Sequence, residues 1–225
     1  MARKPHYDKR DQKVATTGGH YKRHDVYWAR AKDEGYAARS VYKLQEIDKA
    51  HQLMGPGSRV LDLGCAPGSW LQFAAERVGS RGRVVGVDLE VVKLDLPPHV
   101  TTLAMDMVDL TQEHLPSDCL PLDLVMSDLA PHTTGIRSVD QARSFDLSAR
   151  ALLCCDVLLR PGGHFVVKTF QGPDTQRLLL AARMRFDRAE IIRPKATRQA
   201  SAEVYLLALG RRATRTAGKD PLEVL

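Results

Sequence analysis

Two groups of residues in this chain stand where chemistry could be done. The first is a glycine-rich turn, Asp62-Leu63-Gly64-Cys65-Ala66-Pro67-Gly68-Ser69-Trp70, followed by well-separated aspartates. Gly64 and Gly68 supply permissive backbone, which lets N–H groups come close to a ligand. Ala66 occupies the place of the second glycine of a dinucleotide G-x-G-x-x-G, and Gly68 comes one position early. No G-x-x-x-x-G-K-[ST] run occurs either, so a pyrophosphate cradle is disfavoured. Asp88 lies about 20 positions beyond Gly68, where an acidic residue can accept from two ribose hydroxyls. Asp106 can accept from an adenine amino group. A ribose partner and an adenine partner beside a turn without phosphate selectivity fit S-adenosylmethionine. The second group is charge at the ends of apolar runs: Asp128 closes one, and Lys168 closes Phe165-Val166-Val167.

These residues need a frame that brings them together. Val41, Leu44, Ile47 and Leu53 recur at helical spacing, which predicts a helix over 37–53, stopped by Gly55-Pro56-Gly57. Apolar runs then alternate with helical stretches. Strands are expected at 59–63, 83–87, 100–104, 122–126, 164–167, 186–192 and 204–209, the last two forming a hairpin. Helices are expected at 69–78, 139–159 and 174–184, with Arg160-Pro161-Gly162-Gly163 as a stop signal. Alternation of this kind predicts a single doubly wound α/β domain: a mostly parallel, seven-stranded Rossmann-like sheet with helices on both faces. In such sheets ligands bind outside the carboxyl ends of the strands. Gly68, Asp88, Asp106, Asp128 and Lys168 all fall at that rim.

Several runs together resemble the FtsJ/RrmJ-type RNA ribose 2′-O-methyltransferases, whose bacterial members include the large-subunit rRNA methyltransferase E family. They are Asp25-Val26-Tyr27, Gly35-Tyr36, Arg39-Ser40-Val41-Tyr42-Lys43-Leu44, Ala66-Pro67-Gly68-Ser69-Trp70 and Met126-Ser127-Asp128-Leu129-Ala130-Pro131, then Val166-Val167-Lys168-Thr169-Phe170-Gln171-Gly172 and Ser201-Ala202-Glu203-Val204-Tyr205. The resemblance covers 25–210 in order. It implies the class I S-adenosylmethionine-dependent methyltransferase fold, with Gly64, Gly68, Trp70, Asp88, Asp106 and Asp128 binding the cofactor. It also implies a Lys-Asp-Lys-Glu catalytic tetrad at Lys43, Asp128, Lys168 and Glu203. Two positions depart from the pattern. Ser69 stands where the family usually has a second glycine, which could tighten the methionine end of the pocket, and His132 replaces an asparagine on the substrate side.

A ribose hydroxyl must lose its proton near the moment it attacks a sulfonium methyl group, so a positioned base or cation is needed. In the implied site Lys168 is the general base, Asp128 orients it, and Lys43 and Glu203 complete the charge array. A permanently charged Lys168 that steadies the alkoxide is equally physical. No metal is required. The implied substrate is a uridine in large-subunit (23S) ribosomal RNA, free or in a ribosomal subunit, with tRNA as the alternative. A nicotinamide-dependent dehydrogenase and a noncatalytic RNA-binding module are weaker readings, because neither needs two lysines and two carboxylates at one rim.

Composition sets the outer bounds. The chain has 225 residues, 33 Lys+Arg against 27 Asp+Glu, and a net charge of +6, which permits a polyanionic partner. The ends are the more polar parts. Residues 1–34 carry nine Lys/Arg against five Asp/Glu, interleaved with Tyr7, Tyr21, Tyr27 and Trp28, and read as a partly disordered, basic, aromatic extension suited to RNA. Residues 35–210 form the methyltransferase domain, and 211–225 read as a polar, frayed tail. Cys65, Cys119, Cys154 and Cys155 contain no C-x-x-C pair and read as packing residues. No apolar run is long enough for a membrane span and no signal peptide is evident, so a cytoplasmic monomer is expected.

Overall fold

The computed structural model describes residues 26–223. Seven strands form one sheet: β1 (Arg59–Leu63), β2 (Arg83–Asp88), β3 (Val100–Ala104), β4 (Leu122–Ser127), β5 (Leu159–Phe170), β6 (Phe186–Ile192) and β7 (Glu203–Arg211). Their spatial order is β3-β2-β1-β4-β5-β7-β6. The first five are parallel, and β7 runs antiparallel between β5 and β6. Among the described residues five α-helices accompany them: α1 (Val26–Asp33), α2 (Val41–His51), α3 (Ser69–Val78), α4 (Arg137–Leu158) and α5 (Thr175–Arg185).

Alternation along each buried strand builds two cores. Val60, Val84, Leu124, Met126, Val166, Tyr205 and Leu207 face α1, α2 and α3. Leu61, Leu63, Val85, Val87, Val125, Phe165, Val167 and Leu206 face α4 and α5. Continuous apolar runs are what a strand covered on both faces requires. The chain reverses its winding between β1 and β4, so a crevice opens there at the carboxyl ends of the parallel strands.

Three parts differ from the sequence expectation. Residues 26–33, assigned to the extension, form α1. Only Ala31 of that helix is buried, so it carries almost no apolar periodicity. Tyr27 instead packs on Tyr42 with ring centroids 5.4 Å apart, and the Arg30 guanidinium lies 4.6 Å from the Tyr42 centroid. The remainder of the expected extension, residues 1–25, lies outside the described residues. Next, β5 begins at Leu159, directly after α4. Leu122 pairs with Leu159 but Leu124 pairs with His164, so the Arg160-Pro161-Gly162-Gly163 stretch is a bulge within the strand.

Residues 211–223 are not frayed. Asp220 and Leu222 are each 4% exposed, and Asp220 accepts from the buried Arg185, which also bonds Asp156. Arg215 adds a second guanidinium to Asp220. Polar residues are folded here through ion pairing, which hydrophobic patterning does not report. Burial alone would raise the Asp220 carboxyl, but the hydrogen bond from Arg185, with the Leu222 amide and the Arg185 and Arg215 charges, holds it below its usual value.

Arg185→Met leaves Asp220 buried with only Arg215 beside it and should cost about 3 kcal/mol in urea unfolding at pH 7. Because the folded-state carboxyl is depressed, its contribution is present above the unfolded pKa and fades as pH falls through the folded value. Wild type should therefore lose stability on acidification more steeply than Asp220→Asn. Parallel pH–stability curves would remove the ion pair from the account.

Candidate active site

Backbone geometry at the β1–α3 turn explains its glycines. Gly64 (φ 79°) and Gly68 (φ 115°) lie in the left-handed region, and a Cβ at Gly64 would sit 2.5 Å from the Leu129 side chain. One at Gly68 would meet Leu94 at 2.4 Å. Asp88, at the end of β2, ties the turn down: Oδ2 accepts from the Ala66 amide and Oδ1 from the Glu90 amide, both at 2.9 Å. Asp106 follows β3, caps a short 3₁₀ turn through the Val108 amide, and is exposed.

Trp70 sits differently from the other turn residues. Its ring is buried in the core beneath α3, stacked on Tyr205 at 6.2 Å, and its indole N–H donates to the Ser40 carbonyl. What Trp70 can offer a ligand is its backbone N–H, one of the first-turn amides of α3 that have no intrahelical acceptor. The Ser69 hydroxyl lies 3.0 Å from that of Ser40, turned toward α2, so it does not narrow the ligand side of the turn. His132 is exposed on the β4–α4 loop and its carbonyl accepts from Arg143.

The four tetrad candidates converge. Lys168, 6% exposed, places Nζ 3.1 Å from Asp128 Oδ1 and also donates to the Asp128 carbonyl. Lys43, in the first turn of α2, places Nζ 2.7 Å from Glu203 Oε2. Strand pairing sets the spacing of the two ion pairs, since Lys168 lies opposite Tyr205 and Phe170 opposite Glu203. Burial alone would raise the Glu203 carboxyl, but the Lys43 hydrogen bond and the charges of Lys43 and Lys168 hold it below its usual value.

Three more residues belong to this arrangement and were not assigned from sequence. The Tyr205 hydroxyl donates to the same Asp128 Oδ1 at 2.8 Å, and its ring lies 5.7 Å below Lys43 Nζ, so it touches both ion pairs. Burial, then the Asp128 charge and hydrogen bond, push its phenol well above the usual range. Its signal was present, since Tyr205 stands two positions after Glu203 on one strand face. Asp140 accepts from the Thr134 amide and hydroxyl and from the Gly135 amide, ordering the loop that follows Asp128. Asp62 is fully buried in β1 and neither carboxylate oxygen has a partner. Burial, reinforced by the negative charges of Asp128 and Asp88, raises its carboxyl well above the ordinary value. A carboxylate within the apolar run Val60-Leu61-Asp62-Leu63 was the available clue.

The sequence profile of the FtsJ-like methyltransferases matches residues 36–211. The chain belongs to that family. Among curated proteins, the Ribosomal RNA large subunit methyltransferase E of Desulfosudis oleivorans is 46% identical over 194 residues, covering 86% of this chain and 94% of its own. The protein of the same name from Sorangium cellulosum is 44% identical over 198 residues, covering 88% and 93%. A crystal structure from Plasmodium falciparum, described as a ribosomal RNA methyltransferase, superposes with a TM-score of 0.66 at 24% identity. It covers 78% of this chain and 98% of its own, a likeness that bears on the fold alone. As an FtsJ-like methyltransferase the chain needs a methyl donor. The residues at the β1–β4 crevice fit a cationic adenosyl group. Asp62 is an orphaned buried carboxylate, Asp88 and Asp128 stand near enough to raise it, and Asp106 follows the neighbouring strand. Among the described residues no group of three His, Cys, Asp or Glu could hold a metal ion, and no helix is long and apolar enough to cross a membrane.

Asp62 gives this crevice a pH signature. Its folded-state pKa lies above the unfolded one, so the folded chain retains a proton that the unfolded chain releases, and stability falls as pH rises above about 4. Asp62→Asn removes that slope. Thermal unfolding of the ligand-free protein between pH 4 and 8 should show wild type losing ground to the variant as pH rises; parallel curves would mean that Asp62 is compensated.

Proposed function

We propose that this chain transfers a methyl group from S-adenosylmethionine to the ribose 2′-hydroxyl of a uridine in large-subunit ribosomal RNA, in the cytoplasm. The observation that carries the reading is the buried Lys168 held by Asp128 at the crevice where the glycine turn, Asp88 and the orphaned Asp62 also meet. The names of the relatives support the RNA assignment.

The donor supplies an activated methyl group on a sulfonium whose departure needs no protonation. The chain's task is to hold two partners in line and manage one proton. Asp88 accepts from the ribose hydroxyls, Asp106 from the adenine amino group, and the α3 first-turn amides, that of Trp70 included, take the carboxylate end. Gly64 and Gly68 let the backbone approach. Asp128 stands toward the cationic end, and a positive charge there would favour the ionised form of Asp62. On the acceptor side, Lys168 Nζ, in its neutral amine form, would take the 2′-hydroxyl proton and become an ammonium as the O–C bond forms and the C–S bond breaks, the electron pair staying on sulfur. Asp128, itself held by Tyr205, fixes the Lys168 amine and then pairs with the ammonium it becomes, while Lys43, held by Glu203, steadies the developing oxyanion.

Asp88→Ala should weaken S-adenosylmethionine binding by about 10- to 150-fold, because ribose hydroxyls lose a charged acceptor worth about 1.5–3 kcal/mol. Calorimetry on the folded variant that returns wild-type affinity would take Asp88 out of the site.

Lys168→Ala should abolish transfer from labelled S-adenosylmethionine to ribosomal RNA while leaving donor affinity nearly intact, since the group acts mainly in the transition state. Lys168→Arg keeps the charge but cannot accept a proton near neutrality, and should be as inactive as Lys168→Ala. Near-wild-type turnover in the arginine variant would replace the base with a fixed cation. Mapping 2′-O-methyl loss in RNA from cells lacking the protein would identify the nucleotide.

A further inference from the structure

We propose that the exposed face of α1, built on Trp28 and Lys32, is a stacking platform for an unpaired base of the RNA substrate, set beside the acceptor side of the active site. The inference rests on the RNA reading above and adds a contact to it.

Trp28 is 60% exposed, although it lies on a helix that is firmly attached. The attachments leave its side of the helix uncovered. Ala31 inserts into the core, Tyr27 packs on Tyr42, and Arg30 pairs with Glu34 at 2.6 Å while lying over the Tyr42 ring. Glu34 in turn accepts from the Tyr42 hydroxyl at 3.0 Å. Anchoring therefore consumes Tyr27, Arg30 and Ala31 and spares Trp28. An indole left mostly in water gives up most of the apolar burial it could have gained.

Lys32, one helical turn on from Trp28, has its ammonium 5.9 Å from the Trp28 ring. Among the described residues no carboxylate takes that ammonium. The platform thus offers a π face and a cation side by side, which matches a base and its phosphate; every base has a π face, so such a contact tolerates sequence. A protein partner would use the aromatic but would leave Lys32 to be desolvated. The charge of the preceding residues agrees, since residues 1–25 carry seven Lys/Arg against three Asp/Glu.

Placement ties the platform to the reaction. Tyr42, on which α1 rests, adjoins Lys43 in α2. Arg39, just before α2, lies over the Tyr27 ring at 5.6 Å and donates to the Ala196 carbonyl of the β6–β7 loop, which leads into Glu203. A strand of RNA entering over Trp28 would reach the Lys43–Glu203 half of the tetrad without crossing the cofactor crevice.

Only two tryptophans occur in the chain, and Trp70 is buried, so the platform has its own optical probe. Iodide should quench Trp28 emission in the free protein, and a short unstructured RNA oligonucleotide should shield it at saturation. At fixed ionic strength Trp28→Ala should bind that oligonucleotide about 5- to 150-fold more weakly, the range expected for one stacked base. Trp28→Phe should retain most of the affinity while losing the RNA-dependent signal, and S-adenosylmethionine affinity should not change in either variant. Unchanged RNA affinity in Trp28→Ala, or iodide access that saturating RNA leaves intact, would overturn the platform. Trp28 already shielded before RNA is added would also overturn it, since another part of the chain or a second copy would then cover the face. A parallel transfer assay separates the two readings: RNA that shields Trp28 but is never methylated sinks the proposed reaction and leaves the platform standing.

Discussion

Everything at the catalytic rim hangs on the contact between Lys168 and Asp128. A lysine 6% exposed needs polar partners for its Nζ, and Asp128 supplies both a carboxylate oxygen and a carbonyl. The pair bridges β5 to the loop leaving β4, across two adjacent parallel strands. Because Tyr205 donates to the same Oδ1, β7 is drawn into the bond as well. One oxygen therefore fixes the relative positions of three strands at the rim, leaving the other Asp128 oxygen outside both contacts. The second pair, Lys43 with Glu203, joins α2 to the start of β7 and is spaced from the first by the antiparallel register. The antiparallel insertion of β7 thus has a chemical consequence: it brings the Glu203 end of a strand to the rim where parallel strands finish.

The parallel half of this architecture was legible because buried strands need continuous apolar runs and glycines need a turn. Most strand starts and helix spans predicted from those signals agree with the structure to within a few residues. The pairing of Lys43 with Glu203 and of Lys168 with Asp128 was suggested only by family resemblance, since a lysine at a strand end carries no local mark of its partner. Tyr205 and Asp62 were visible as residues but not as roles. Asp62 is informative only once its lack of partners is known, and Tyr205 only once β7 is seen beside β5.

What patterning missed shares a physical cause. α1 is held by tilted tyrosine rings and a guanidinium, and the stretch from Arg211 to Glu223 by the buried Arg185–Asp220 pair. Both look polar in sequence because their anchors are polar, and both are ordered because those anchors find partners outside their own segment. The bulge in β5 misled for a different reason. A Pro-Gly-Gly run is a helix stop, but an irregularity in a strand tolerates the same residues. Trp70 shows the limit from the other side. It lies within the glycine-rich turn expected to meet the cofactor, yet its ring serves the core, and only its main chain remains for a ligand.

The distribution of unpaired charge completes the picture. Near the acceptor side each buried cation has its carboxylate, so Lys43 and Lys168 are held in place without demanding a ligand. At the β1–β4 crevice the balance is negative: Asp62 has no partner, and Asp88 and Asp128 both press on it. A buried carboxyl in that position keeps its proton until positive charge arrives. A cation entering the crevice would favour the ionised form of Asp62 and so draw off its proton as it arrives. A neutral ligand of the same shape would gain only the contacts.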